Sequence, residues 1–206
     1  MSVSRKLAVI FTMAAIVGGG RASAQDINPG PGTVEVTVIP GGSMYFTDHN
    51  NGTPFTNYNL GAALTYNVNR IVGFEGEVGG SLGVSQTLSF AGLTTTGTRT
   101  PNILSYTGNV VVSIPSGSSV VPYAAAGIGG LSMFQRPELN VTTTDTYLTS
   151  NVGGGVKWYA PNGRWGLRGD YRFVDTRSNA TSSTFFGSSD RFGHRIYGAV
   201  VINAVR

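Results

Sequence analysis

Cysteine is absent from the 206 residues, histidine occurs twice, and Asp, Glu, Lys and Arg together make up only 12% of the chain. The first absence excludes disulfide frameworks, thiol nucleophiles and zinc-cysteine sites, and two histidines leave a metal site little beyond carboxylates. So little charge argues against a typical cytosolic enzyme, while 40% apolar residues argue against disorder. Long apolar runs are also lacking. Leu7 to Val17 is the one run of note, and it falls short of the ~20 residues that a membrane-spanning helix needs. The length suits one domain, with no cofactor and no metal expected.

Arg5 and Lys6 precede that apolar run, and the small residues Ala22-Ser23-Ala24 follow it, which is the layout of a cleavable secretory signal over residues 1–24. The mature chain then begins at Gln25, with residues 25–32 as a short linker and 33–206 as the folded domain. Cleavage removes Arg5, Lys6 and Arg21 and no acid. The 14 basic side chains become 11 against 10 acidic ones, and the net charge falls from +4 to +1. No nucleic-acid partner is implied by such a balance.

From Thr33 onward, apolar residues alternate with small or polar ones at a period of two, the signature of strands. Eight are predicted: Thr33 to Thr47, Thr56 to Asn67, Ile71 to Ser85, Ile103 to Ile114, Val120 to Phe134, Tyr147 to Tyr159, Trp165 to Asp175 and Arg191 to Ala204. No stretch shows a capped helical stripe, and the 30 glycines disfavour helices. Connections alternate in length. Asn67 to Arg70, Pro115 to Ser119 and Ala160 to Arg164 are short, whereas 48–55, 86–102, 135–146 and 176–190 are longer and rich in Thr, Ser, Asn and Gly. Short turns at one end and long loops at the other describe an all-β, eight-stranded antiparallel up-and-down barrel.

The two faces of these strands differ sharply. Leu167, Gly169, Tyr171 and Phe173 alternate with Arg168, Asp170, Arg172 and Val174; Val72, Phe74, Val78 and Leu82 oppose Glu75, Glu77 and Ser81; Phe192 and Ile196 oppose Arg195. An apolar face turned into a soluble barrel would leave few charges for water. Turned outward to lipid, it leaves Glu75, Glu77, Lys157, Arg168, Asp170, Arg172 and Arg195 to balance one another in a closed lumen, since a charge facing mid-bilayer costs ~2–4 kcal/mol. Tyr45, Phe46, Tyr66, Tyr123, Trp158, Tyr159 and Trp165 lie near strand ends and suit interfacial girdles. The run from Tyr123 to Gly130 does not reveal its parity.

The run Val120-Val121-Pro122-Tyr123-Ala124-Ala125-Ala126-Gly127-Ile128-Gly129-Gly130 and the segment Asn151-Val152-Gly153-Gly154-Gly155-Val156-Lys157, continuing through Trp165-Gly166-Leu167-Arg168 to Asp170-Tyr171-Arg172-Phe173, carry a resemblance. The chain resembles the small outer-membrane β-barrel proteins of Gram-negative bacteria, such as the transmembrane domain of outer membrane protein A and the porin-family barrel domain. This resemblance implies an eight-stranded monomer in the bacterial outer membrane, in contact with its lipid and lipopolysaccharide and inserted by the barrel-assembly machinery. No reaction or cofactor is implied. The chain departs from that pattern by ending Ala204-Val205-Arg206, where many such chains end in an aromatic residue, and by having no peptidoglycan-binding domain after the barrel.

Catalytic motifs are weak. Gly79-Gly80-Ser81-Leu82-Gly83 matches the G-x-S-x-G nucleophile elbow in letters, but that elbow needs a strand-to-helix turn and this run lies inside a strand. Asp48 and His49 have no ligand cluster nearby and read as a solvated turn. His194 shares parity with Phe192 and Ile196 near the long-loop rim, where a lipid A-modifying enzyme would place a histidine, yet no serine stands beside it on its strand. Three functions follow in order: a structural or surface-contact barrel, a narrow porin-like channel, and a lipid A-modifying enzyme. The long loops name no surface ligand.

Overall fold

Valine, leucine, tyrosine and phenylalanine at every second position suit a pleated ribbon with one apolar face. In a computed structural model that describes residues 29–47, 53–90, 93–178, 185 and 190–205, these segments form ten strands. They are β1 Val34–Phe46, β2 Phe55–Asn67, β3 Val72–Gly83, β4 Ser85–Phe90, β5 Leu93–Arg99, β6 Ile103–Ser113, β7 Val120–Met133, β8 Asp145–Tyr159, β9 Trp165–Thr176 and β10 Arg191–Val205. Eight close an antiparallel barrel in the order β1-β10-β9-β8-β7-β6-β3-β2. The ring shuts where the first and last strands meet, with Val34 opposite Val205. The residues read as an export signal, and Asp48 and His49, lie outside the described residues.

The eight predicted strands match the barrel strands to within two residues at each end. The segment 86–102 does not remain a loop. β4 and β5 pair there as a separate hairpin, Gln86 opposite Thr98 and Ser89 opposite Thr94. Threonine is β-branched and favours strands, but Leu88 and Phe90 are the only apolar pair that alternates in β4, too short a pattern to read. Short turns close the other end of the barrel. Asn69 Oδ1 accepts from the backbone N–H groups of Ile71 and Val72, both at 2.8 Å, and Gly163 at φ 57° lets its N–H reach Ala160 O at 2.7 Å.

Parity decides what faces where, because adjacent strand residues point to opposite sides. Glu77 is 3% exposed, whereas the next residue, Val78, is 56% exposed. The exterior is therefore the apolar side and the interior the ionic side, an inversion of a water-soluble barrel. Parity also corrects the aromatic assignment. Tyr45, Tyr66, Trp158 and Trp165 stand outside, but Phe46, Tyr123 and Tyr159 are buried inside. Phe46 follows Tyr45 and Tyr159 follows Trp158, so neither member of those pairs can share its neighbour's face. On β7 the inward set is Val121, Tyr123 and Ala125, a parity that small residues on both faces had hidden.

One irregularity interrupts the outer wall. β1 bulges between Val38 and Gly42, and Pro40 has no cross-strand partner in either ladder. The Tyr58 hydroxyl lies on the exposed surface and donates to Pro40 O at 2.8 Å. On an apolar exterior, an unpaired carbonyl is costly. Tyr58→Phe is expected to destabilise the barrel by about 1–3 kcal/mol, read as a lower midpoint in equilibrium urea unfolding of the lipid-inserted protein.

Candidate functional site

Three layers of charge fill the barrel interior, and small inward residues on β7 and β8 make room for them. A Cβ on Gly153 or Gly155 would collide with the Tyr171 or Gly169 carbonyl of β9, so those positions admit nothing larger. The middle layer is built by β9, where Arg168, Asp170 and Arg172 succeed one another on the inward face, and by Glu75 from β3 across the lumen. Arg168 pairs with Glu75 through Nη1 and with Asp170 through Nη2 at 2.8 Å, and its Nε donates to the Tyr123 hydroxyl at 2.7 Å. Arg172 donates from Nε to Asp170 Oδ1 at 2.8 Å, from Nη1 to Asn151 Oδ1 at 2.9 Å and from Nη2 to Glu75 Oε1 at 3.3 Å. Thr65 and Asn109 also donate to Glu75, at 3.1 and 3.2 Å. The Tyr123 hydroxyl donates to Asp170, and its ring lies 4.8 Å under the Arg168 guanidinium.

The other layers are single pairs. Toward the loops, Arg195 Nη1 bridges to Glu77, with the Arg195 guanidinium 5.0 Å from the Tyr197 ring. Toward the short turns, Lys157 bridges to Glu35, which also accepts from the Tyr159 hydroxyl. All seven charged residues singled out from the sequence are therefore inside the barrel: Glu75, Asp170, Arg168 and Arg172 near its middle, Glu77 with Arg195 above them and Lys157 below. Sequence reasoning missed Glu35. It alternates with Val34 and Val36 in a strand correctly placed, so its parity was readable, and it brings the acids of these layers to four against four bases.

Above the charges the interior turns apolar. Met44, Phe46, Phe55, Ile103, Leu131 and Met133 converge at the long-loop end, and Leu88, Leu139, Val141 and Phe185 from the loops and the hairpin cap them. The Phe55 ring packs at a tilt against Phe46 at 4.9 Å and against Phe185 at 5.2 Å. At the rim, the buried Arg191 donates to the carbonyls of Thr47 at 2.9 Å and Thr53 at 2.7 Å, tying the first long connection to β10. Between the Glu77–Arg195 pair and this plug lies a gap of about 20 Å³, lined in part by Arg195, Thr107 and Asn151. It has room for one water molecule and for no larger solute.

The candidate catalytic residues are placed as follows. Ser81 is buried within β3 and donates to Asn59 Oδ1 at 3.2 Å, with no helix after it. His194 lies on the outer face of β10, stacked near Tyr45 and Tyr171, and its Nδ1 is hydrogen-bonded to the Tyr171 hydroxyl at 2.7 Å. Among the described residues no cluster of three or more His, Asp or Glu could hold a metal ion.

Comparison with known proteins bears on this architecture. A family model described as an outer membrane protein beta-barrel domain matches residues 10–192. The fold is similar to the crystal structure of Neisserial surface protein A, with a TM-score of 0.58, 14% identity, and coverage of 82% of this chain and 96% of that one. It is also similar to the outer membrane protein OprG from Pseudomonas aeruginosa, with a TM-score of 0.52, 10% identity, and coverage of 87% and 100%. The outer membrane enzyme PagL is more distant at a TM-score of 0.43 and 14% identity, over 83% and 99% of the two chains. No curated protein matches the sequence.

Proposed function

This chain belongs to the outer membrane protein beta-barrel domain family, and from that premise we propose that it is a structural or surface-contact barrel of the bacterial outer membrane, with a closed lumen and no catalysis. The observation that carries the reading is the filled interior. Four acids and four bases pair within the lumen, and an apolar plug under the loops lies above them. Eight strands enclose a space only just wide enough for side chains, whereas aqueous channels belong to barrels of roughly 16 to 18 strands. The β4–β5 hairpin supports the surface role. It lies outside the barrel sheet on the long-loop side and exposes Thr94 and Thr96.

Residues 1–24 serve in this reading as a cleaved export signal, and the barrel-assembly machinery inserts the rest as a monomer among lipid and lipopolysaccharide. His194 acts as a rim residue held by Tyr171. Purified protein reconstituted in planar lipid bilayers is expected to show no steady ohmic conductance. Steady channels that also pass sugars would overturn the closed-lumen reading and favour a porin-like role.

A further inference from the structure

The connection between β7 and β8 is anchored on one side and displayed on the other. Pro137–Leu139 forms a single 3-10 turn. A bridge closes it, with the Arg136 N–H donating to Val141 O at 2.7 Å and the Val141 N–H to Arg136 O at 3.2 Å. Leu139 and Val141, each 1% exposed, pack into the apolar plug. The residues that alternate with them, Glu138, Asn140 and Thr142, are all exposed. The outer face of this loop therefore presents an asparagine with a threonine two positions on and a valine, not a proline, between them. That is the acceptor triplet for N-linked glycan transfer in exported proteins.

Neither side chain is demanded by the loop itself. Asn140 has φ 58°, a left-handed turn position that glycine fills at least as well, in a chain with 30 glycines. Three neighbouring threonines have structural work. Thr143 donates to Asp145 at 3.3 Å, Thr144 accepts from the Gln135 N–H at 3.3 Å, and Thr146 bonds to Ser132 at 2.8 Å. The exposed Thr142 hydroxyl has no partner among the described residues. Two other long connections contain the same triplet, at Asn51 and Asn179, but His49 and Arg177 stand two positions before those asparagines. Before Asn140 that position is Glu138, whose side chain is 64% exposed and pairs with Arg136 at 3.3 Å. A surface pair of this kind is weak, so the carboxylate remains an anionic handle for a cationic transferase groove.

We propose that Asn140 is the attachment site of an N-linked glycan, added by an oligosaccharyltransferase in the periplasm before the barrel inserts. The donor is a sugar chain carried on a polyprenyl diphosphate. The Asn140 amide nitrogen bonds to the anomeric carbon of the first sugar as the bond from that carbon to the diphosphate oxygen breaks. The lipid diphosphate leaves with the electron pair, and one amide proton passes to a base on the transferase. In the folded barrel the glycan stands over the plug, because Leu139 and Val141 hold the loop from beneath. The inference rests on the outer-membrane reading, since an exported chain is the one that meets such a donor. It adds to that reading a chemical group presented at the long-loop end.

Chymotrypsin cuts after Phe134 and Tyr147, so protein taken from the outer membrane of its own host yields the stretch 135–147 with Asn140 inside it. Mass spectrometry is expected to find this peptide heavier by a chain of sugar residues, with fragment ions that place the addition on Asn140. Asn140→Gln and Thr142→Ala are expected to abolish the addition, and Thr142→Ser to retain it. Thr143→Ala, which removes a hydroxyl outside the triplet, is expected to leave it unchanged. Insertion of each form is verified by the mobility shift between heated and unheated gels. An unmodified 135–147 peptide from correctly inserted wild-type protein would overturn the inference and leave the barrel reading intact. Sugar that persists in Asn140→Gln would overturn it as well, and would assign the addition to a threonine hydroxyl.

Discussion

Arg168→Leu is expected to cost the barrel about 3–5 kcal/mol of stability, the range for removing one partner from a buried ion pair. Arg168 and its partners Glu75 and Asp170 have side chains with no solvent exposure, so water cannot replace what the guanidinium supplies. The loss falls on three groups at once, because Arg168 also donates to Tyr123 and caps its ring. Arg172→Leu is expected to cost less. Arg168 would still hold both carboxylates, and Asn151 is the one neutral partner that Arg172 leaves behind. A double variant, Arg168→Leu with Glu75→Leu, should recover part of the loss, since the pair's own net contribution is small compared with the penalty for stranding one member. Equilibrium unfolding in lipid vesicles, followed by tryptophan fluorescence, measures all three. Unchanged midpoints for both single variants would mean that these arginines face solvent.

The legibility of this network in the sequence depended on strong alternation. β9 reads Leu-Arg-Gly-Asp-Tyr-Arg-Phe, and charge on one parity with bulk on the other leaves a single orientation when the exterior is hydrocarbon. β3 is as clear, with Glu75 and Glu77 between Phe74 and Val78. Where both faces carry small residues the signal vanishes, as in β7, and nothing in that run shows that Tyr123 points inward, where it bonds to both Arg168 and Asp170. The apolar plug was hidden for a different reason. Met44, Phe46 and Phe55 point inward in strands whose lower inward residues include Glu35, Thr37, Asn57, Asn59 and Thr65, so the inward face changes character along its length. A reading that assigns each face one polarity misses such a change.

The outer wall supplies a test of the membrane-embedded orientation that is independent of the lumen. Val152 is the middle residue of β8 and is 56% exposed, and Ile114 lies just past the short-turn end of β6 at 61% exposed. In water the two positions would be equivalent, and an exposed valine or isoleucine changed to arginine would usually shift stability by no more than about 0.5 kcal/mol. In a bilayer the cost depends on depth, about 2–4 kcal/mol at the midplane and about 0–1 kcal/mol near the interface. Val152→Arg is therefore expected to lower the unfolding free energy in vesicles by about 2–4 kcal/mol, and Ile114→Arg by about 0–1 kcal/mol. Both residues leave an outward, apolar position. Equal and small effects at the two sites would show that the apolar face of β8 meets water, and the charged interior would then have to be explained without a membrane.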